Sequence, residues 1–446
     1  MDVLQADKLD IRTQKKSFFD NINIILLLAY IFCMPFTSGF AFTGTISLPL
    51  IFAVLLFILM IRDLMINNRF PNGFLGFDIF TLIFFLTIVA TSYLINGKGN
   101  NKSTNHTIAY FSSFLLFYVT IKYQLFRNND KEDTLKRILN ILSITTLITA
   151  VFANIEFISD NLFGLNLNDF IPRPSEEEKY YQAEVIELFH RSRAFASESG
   201  GMTFMMELFM PLVIYYFYFS TLCNWRRSVK NASVFFMATS FIFAASTASF
   251  IIVPASFLLS SIFYYKSVIK YFKKNKLKIT LFATLITLII AVLNYFFSLF
   301  FLIILSIQDK FDSYSFDDRK DRIDFFYQHF THADFIHKTI GIGPAGFHLL
   351  GYDDSRSILS LYFNTIFEIG YTGFMLLTLL LVFILARIFQ IKEKVGFFLL
   401  ASATSGMMHY YIFQSYWVPW FWFICVFSLF LFHHKTVSKN RSTPNA

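Results

Sequence analysis

Apolar runs recur from end to end of this chain, separated by polar segments that are mostly short. Read as spans, they fall at about 20–37, 44–61, 79–96, 107–123, 138–158, 202–222, 232–246, 249–265, 279–306, 366–386, 395–413 and 416–432. Most have the roughly 17 residues or more needed to cross about 30 Å of hydrocarbon. Their hydrophobicity is continuous rather than alternating, which predicts helices and argues against a barrel; in lipid, a helix satisfies its own backbone polar groups. The expected fold is therefore all-α: one polytopic membrane unit over residues 1–446, with about twelve transmembrane helices. The seventh and eighth spans are short and separated only by STAS (246–249), which predicts a tight hairpin or a partly re-entrant pair. No small-residue cleavage site follows the first run, so it is expected to be a retained anchor and not a signal peptide.

Composition narrows the class. The chain is 55% hydrophobic and 20% aromatic, with 61 Phe, and only 15% of it is charged. Mean hydropathy is +0.53. That leaves too little polar surface to cover a soluble core of this size. Cys33, Cys223 and Cys425 lie in or beside apolar runs and offer neither a disulfide framework nor zinc spacing. The net charge of +8 reads as a topology signal. With the N-terminus in the cytoplasm, about two-thirds of the Lys and Arg residues fall on the inside, including Arg12, Lys15 and Lys16, Arg226, Arg227 and Lys230, and the run KSVIKYFKKNKLK (266–278). Both termini are then cytoplasmic. No basic, aromatic-interleaved soluble surface exists, so nucleic acid is not an expected partner.

This orientation leaves two long segments outside the cytoplasm, 159–201 and 307–356. Loops of that length in compact proteins are usually functional. SEEEKYYQAEVIELFHRS (175–192) places Tyr181, Val185 and Leu188 near one helical face, and RKDRIDFFYQHFTHADFIHK (319–338) does the same with Ile323, Phe326 and Phe330. Both are expected to be amphipathic helices at the membrane surface that roof a cavity between the spans. Four arginines flank the spans: Arg191 and Arg193 before the sixth, Arg319 and Arg322 after the ninth. A guanidinium binds phosphate oxygens as a planar fork and keeps its charge in any setting. The competing explanation is ordinary ion pairing in a solvated loop, with Asp318 and Asp321 at hand. His329, His332 and His337 lack clean ligand spacing, so no metal site is expected. GIGPAG (341–346) follows no strand and reads as a sharp turn rather than a dinucleotide fingerprint. Two carboxylates lie within spans, Glu207 and Glu368, the latter followed by Gly370 and Gly373. They read either as helix-packing hydrogen bonds or as catalytic groups. Glu198, at the outer mouth of the sixth span, is placed to take a proton from a hydroxyl.

Three stretches carry a family resemblance. RSRAFASESGGMTFMM (191–206) has an Arg, then a Glu, then small residues entering a span. FAASTASFIIVPASFLL (243–259) is a Thr/Ser-rich short hairpin. DRIDFFYQHFTHADFIHKTIGIGPAGF (321–347), followed by SLYFNTIFEIGYTGF (360–374), has an Arg, a Gly-x-Gly about twenty residues on, then an aromatic helix with a Glu and a closing Gly. In this order they resemble the O-antigen polymerase (Wzy) and O-antigen ligase superfamily, polytopic GT-C glycosyltransferases of lipopolysaccharide biosynthesis. The sharp matches cover about a fifth of the chain. Two departures matter. The hairpin lacks its usual Arg, and the His-Asn pair typical of ligases falls in register on Leu359 and Ser360.

The resemblance implies a polymerase at the periplasmic face of a bacterial inner membrane, with the two long loops periplasmic. It would join undecaprenyl-pyrophosphate-linked repeat units and release undecaprenyl pyrophosphate, without metal or cofactor. Arg193, Arg322 and Glu198 are the implied catalytic groups. Arg191, Arg319, His348, Tyr352 and Glu368 are the implied substrate-binding groups. Implied partners are the lipid-linked glycans, membrane lipids and a polysaccharide chain-length regulator. The alternatives are an O-antigen ligase, which transfers glycan to lipid A-core, and a lipid-linked oligosaccharide flippase, against which the long outer loops count.

Overall fold

A computed structural model describes residues 20–42, 46–128, 130–171, 190–244, 246–275, 314–351 and 358–442. Among these residues the regular structure is helical throughout. In chain order the helices are α1 (Asp20–Cys33), α2 (Leu48–Asn67), α3 (Phe77–Ser92), α4 (Asn101–Ser112), α5 (Ile121–Arg127), α6 (Lys131–Phe163), α7 (Ser199–Tyr218), α8 (Arg227–Ala244), α9 (Thr247–Phe263), α10 (Tyr265–Lys274), α11 (Tyr314–Thr331), α12 (Phe335–Ile340), α13 (Gly346–Leu349), α14 (Leu361–Gln390), α15 (Lys394–His409) and α16 (Pro419–Ser442). A π-helical turn, Tyr93–Gly97, extends α3, and another, Ser113–Thr120, joins α4 to α5.

Local chemistry sets the ends of these helices. The Asp130 side chain accepts the Asp133 N–H at 3.0 Å and starts α6, which runs 33 residues to Gly164 in the left-handed region. Asn100 starts α4 in the same way, accepting the Ser103 N–H at 3.1 Å. Pro49 sits in the first turn of α2, where its missing N–H costs nothing, and Asn68 closes that helix at φ +46°.

Helix α16 lies in the middle. Every residue from Trp420 to Leu431 is buried, including Trp420, Trp422, Phe423 and Phe427, so the helix is apolar on all sides because it is packed on all sides. The outer helices instead expose apolar side chains, among them Ile58, Phe80, Phe84, Leu258 and Val382. A belt of that kind suits lipid rather than water.

The helix ends gather into two rims. At one, Gly39 N–H donates to Phe195 O (2.8 Å), Trp420 Nε1 to Met34 O (2.7 Å) and Leu361 N–H to Tyr410 O (2.9 Å). This rim, the loop rim, collects the ends of α1 and α15 and the starts of α7, α14 and α16. At the other, Arg127 pairs with Asp20 and Asp63, Lys435 pairs with Glu393, and Tyr264 Oη donates to the carbonyls of Ile388 and Ile391. This basic rim also carries Arg62, Lys136, Arg226, Arg227 and Lys394. A cavity of about 340 Å³ lies here, lined by Asp133, Lys136, Arg137, Asn140, Tyr216, Asn224 and Trp225, and none of these is among the predicted site residues.

Among the described residues, five helices are long and apolar enough to cross a membrane: α2, α3 with its π turn, α6, α7 and α14. Counting α9 with α10, which bends away by 97°, gives six. This is fewer than the twelve spans expected. The other predicted spans within the described residues fall on α1, the α4–α5 run, α8, α15 and α16. Of these, α1 is apolar but short, and α15 has only 16 residues. The α4–α5 run and α16 carry His, Lys and Gln or Asn within them, which lowers their hydropathy. The predicted span 279–306 and the predicted helix 175–192 lie outside the described residues, apart from His190, Arg191 and Ser192.

Candidate active site at a broken helix

Helix α14 breaks at Gly370, whose φ of 74° and ψ of −176° lie in a region open only to glycine. A break inside an apolar helix frees carbonyls that need partners. The loop 341–346 supplies them. Ile342 N–H donates to Phe367 O at 2.8 Å and Gly343 N–H donates to Glu368 O at 3.1 Å. Ser92 Oγ, from the end of α3, adds a bond to Glu368 O at 2.9 Å. Asn96 Nδ2 fixes the loop from the other side through Gly341 O at 3.0 Å. The approach is so close that a Cβ on Gly370 would collide with the Thr339 carbonyl, and one on Gly341 with the Glu368 carbonyl. The glycines of GIGPAG and of EIGYTG thus serve one joint.

The joint orients Glu368. Its carboxylate is 1% exposed and takes three donors. Tyr110 Oη donates to Oε2 at 2.8 Å, Ala345 N–H donates to Oε1 at 2.8 Å, and His106 Nδ1 lies 3.1 Å from Oε1. Tyr416 stacks on Tyr110 with ring centroids 4.1 Å apart, and Asn364 Nδ2 reaches Tyr110 Oη at 3.5 Å. His106 stands one residue outside the predicted fourth span, and its side chain is 30% exposed. Burial works against protonation of His106, as does Lys102, but the Glu368 carboxylate outweighs both and raises the imidazole pKa. The result is a buried carboxylate in contact with an accessible imidazole.

Helix α11 covers this joint. Phe326 and Phe330 are buried against Ile342, Phe347, Ile358 and Phe367. Phe325 stacks on Phe347 at 4.5 Å, and Phe330 meets Tyr371 edge-on at 5.3 Å. The expected apolar face at Phe326 and Phe330 is the face that packs, with Ile323 half-buried beside it. The helix is shorter than expected. It stops at Thr331, and Asp334 starts α12 by accepting the His337 N–H at 2.8 Å.

The entry to α7 forms a second polar cluster on the same rim. Glu156 of α6, 1% exposed, accepts the backbone N–H of Arg193 (3.0 Å) and of Ala194 (2.7 Å), the latter at φ +47°. The Arg193 guanidinium donates to Ser197 O at 3.2 Å, and the residue is 8% exposed. Arg191 and Glu198 are half-buried. Burial lowers the Arg191 pKa while Glu198 opposes the shift; a guanidinium remains charged regardless. The pieces meet through residues 409–420: Phe204 of α7 packs on His409, Tyr410, Phe413 and Trp420, while Tyr416 reaches Tyr110.

The predicted residues thus divide. Glu368 sits at the joint, and Arg322 is half-buried on the helix that covers it. His348 lies in α13, three residues after the Ala345 amide that Glu368 holds. Arg191, Arg193 and Glu198 form the α7 entry, where Arg193 donates one guanidinium N–H to Ser197 O. The Arg319 side chain and Tyr352 lie outside the described residues. Sequence reading missed His106, Tyr110, Tyr416 and Glu156. Glu156 had a usable signal, a lone carboxylate within a predicted span. His106 had a weaker one, the polar helix mouth NKSTNHT just before a span. Among the described residues no group of His, Cys, Asp and Glu could hold a metal ion.

No protein-family model matches the chain, and no curated protein matches it in sequence.

Proposed function

We propose that this chain is a membrane glycosyltransferase that polymerises lipid-pyrophosphate-linked oligosaccharide units at its loop rim, which faces the periplasm of a bacterial inner membrane while both termini face the cytoplasm. One observation carries the reading. The Gly-x-Gly loop and the Glu-bearing helix, twenty-odd residues apart in sequence, form one joint, and the Arg/Glu entry of α7 shares its rim. Chemically, the transfer needs positive charge on a leaving pyrophosphate and an oriented acceptor hydroxyl. Arg191 and Arg322, both less buried than Arg193, supply the charge. Glu198 takes the hydroxyl proton. Glu368 holds the loop and His106 in place and acts through them. Undecaprenyl chains lie against the exposed apolar belt. The expected twelve spans belong to this reading, with the helices that fall short of the length or apolarity test crossing as members of the bundle.

One observation favours a second reading, an O-antigen ligase. The chain lacks a His-Asn pair at Leu359 and Ser360, which argued for the polymerase, yet His106 brings an imidazole to Glu368 from another helix. A lipopolysaccharide gel from a strain deleted for the gene separates the two. Collapse of the ladder to core plus a single repeat unit identifies the polymerase. Loss of all O-antigen from the core, with long lipid-linked polymer accumulating, identifies the ligase. An unchanged ladder contradicts both.

A further inference from the structure

On the basic rim, α9 ends at Tyr264 and α10 leaves it at 97°. The Tyr264 hydroxyl pins that corner to the carbonyls of Ile388 and Ile391 at 3.0 and 2.9 Å. Gly396 lies against the same ring, where a Cβ would collide with it. The bend is thus a built corner and not a frayed end. A helix at right angles to a spanning one runs along the membrane plane.

The sequence of α10, YKSVIKYFKK, divides cleanly on such a helix. Tyr265, Val268, Ile269 and Phe272 recur at helical spacing on one face. Lys266, Lys270, Lys273 and Lys274 recur at the same spacing on the other. The apolar face is only partly covered by protein: Val268 packs against the core, while Tyr265 is 52% and Ile269 47% exposed. Tyr271, between the two faces, touches Phe219 at 5.6 Å and so ties the helix to the end of α7. Lys266, Lys270 and Lys273 are exposed, and none of the four lysines makes an ion pair among the described residues. Lys394 adds a further cation beside them, its Nζ 5.1 Å from the Phe219 ring.

We infer that α10 is an interfacial helix that binds anionic phospholipid headgroups at the basic rim. Its apolar face enters the acyl boundary, and its four lysines take up phosphate oxygens from the headgroup layer. Charge complementarity selects the occupant: unpaired lysines along a helix held in the membrane plane meet anionic lipid before any other partner. A neutral leaflet satisfies the apolar face but leaves the lysines without counter-charge. This inference does not depend on the reaction proposed for the opposite rim.

The test uses the full chain in detergent, mixed with equal amounts of phosphatidylglycerol and phosphatidylcholine, with retained lipid read by native mass spectrometry. The wild type is expected to retain phosphatidylglycerol over phosphatidylcholine by about 10-fold or more, and to lose that preference as salt rises. The K266Q/K270Q/K273Q/K274Q variant is expected to lose most of it. The same four positions as arginine should keep it, as should K98Q/K338Q on the loop rim. If the quadruple Gln variant fails to fold, K270Q/K273Q carries the test, with a loss of at least about threefold expected. Equal retention of both lipids by the wild type overturns the inference. So does an unchanged preference in a folded Gln variant.

Discussion

Two buried glutamates, each beside a histidine, occupy unlike settings in this molecule. Glu207 of α7 sits among regular helices: His409 Nδ1 and Ser405 Oγ approach the same Oε2 at 3.0 and 3.1 Å, and Oε1 is buried without a hydrogen-bond partner. Its histidine is 3% exposed and stacked on Phe204 at 4.6 Å. Glu368 sits where a helix is broken, with both oxygens bonded and with a histidine open to the rim. The first pair ties two helices together in a dry interior. The second holds a loop and leaves an imidazole where a ligand or a proton can reach it. Burial and a histidine partner are common to both pairs and do not distinguish them. Backbone interruption, full satisfaction of the acid and access for the base together separate one pair from the other.

The two pairs also differ in how they resist substitution. The largest effect is expected from Gly370→Ala, whose new Cβ meets backbone at a φ/ψ combination available only to glycine. A loss of about 4 kcal/mol or more should appear as a large fall in the thermal midpoint and in the amount of protein in the membrane. Gly406→Ala, one turn from His409, meets only the side chains of Phe421 and Leu208, which can shift. It should cost about 1–3 kcal/mol. Equal losses would mean that the broken helix is not a rigid joint. Next in size, Glu368→Ala strands three donors and should destabilise by about 3 kcal/mol, against about 2 kcal/mol for Glu207→Ala, as thermal unfolding in detergent would show.

The smallest effect is a pH dependence confined to the open pair. The folded-state pKa of His106 is raised, so its contribution is fully present below the ordinary histidine value near 6.5 and is lost as pH rises through the folded value. The thermal midpoint should fall as pH rises above about 6.5, and His106→Gln should remove that slope. A slope that survives in His106→Gln would assign it to another group.

The helical, membrane-spanning character was legible because apolar runs depend on local composition alone. Among the described residues fewer helices qualify by length and apolarity than the twelve spans predicted; α16 is one that does not, and it is buried by neighbours on every side. The apolar face of α11 at Phe326 and Phe330 was legible from helical spacing. The joint was half legible. Its glycines and Glu368 were visible, but their pairing across twenty-odd residues, and the donors from α3 and α4, arise from tertiary contacts that no local pattern encodes. Arg193 shows what local pattern does not encode: its backbone N–H is held by Glu156 of α6, and one guanidinium N–H donates to Ser197 O.

Under the proposed function, the broken-helix site, and not the dry pair, serves the reaction. The most direct test is a polymer-length gel from a strain whose glycan ladder depends on this gene, complemented with Glu368→Gln or Glu207→Gln at membrane protein levels equal to wild type. The account predicts a collapsed ladder for Glu368→Gln and a near-normal one for Glu207→Gln. A normal ladder from Glu368→Gln, or a collapse seen only with Glu207→Gln, would contradict it.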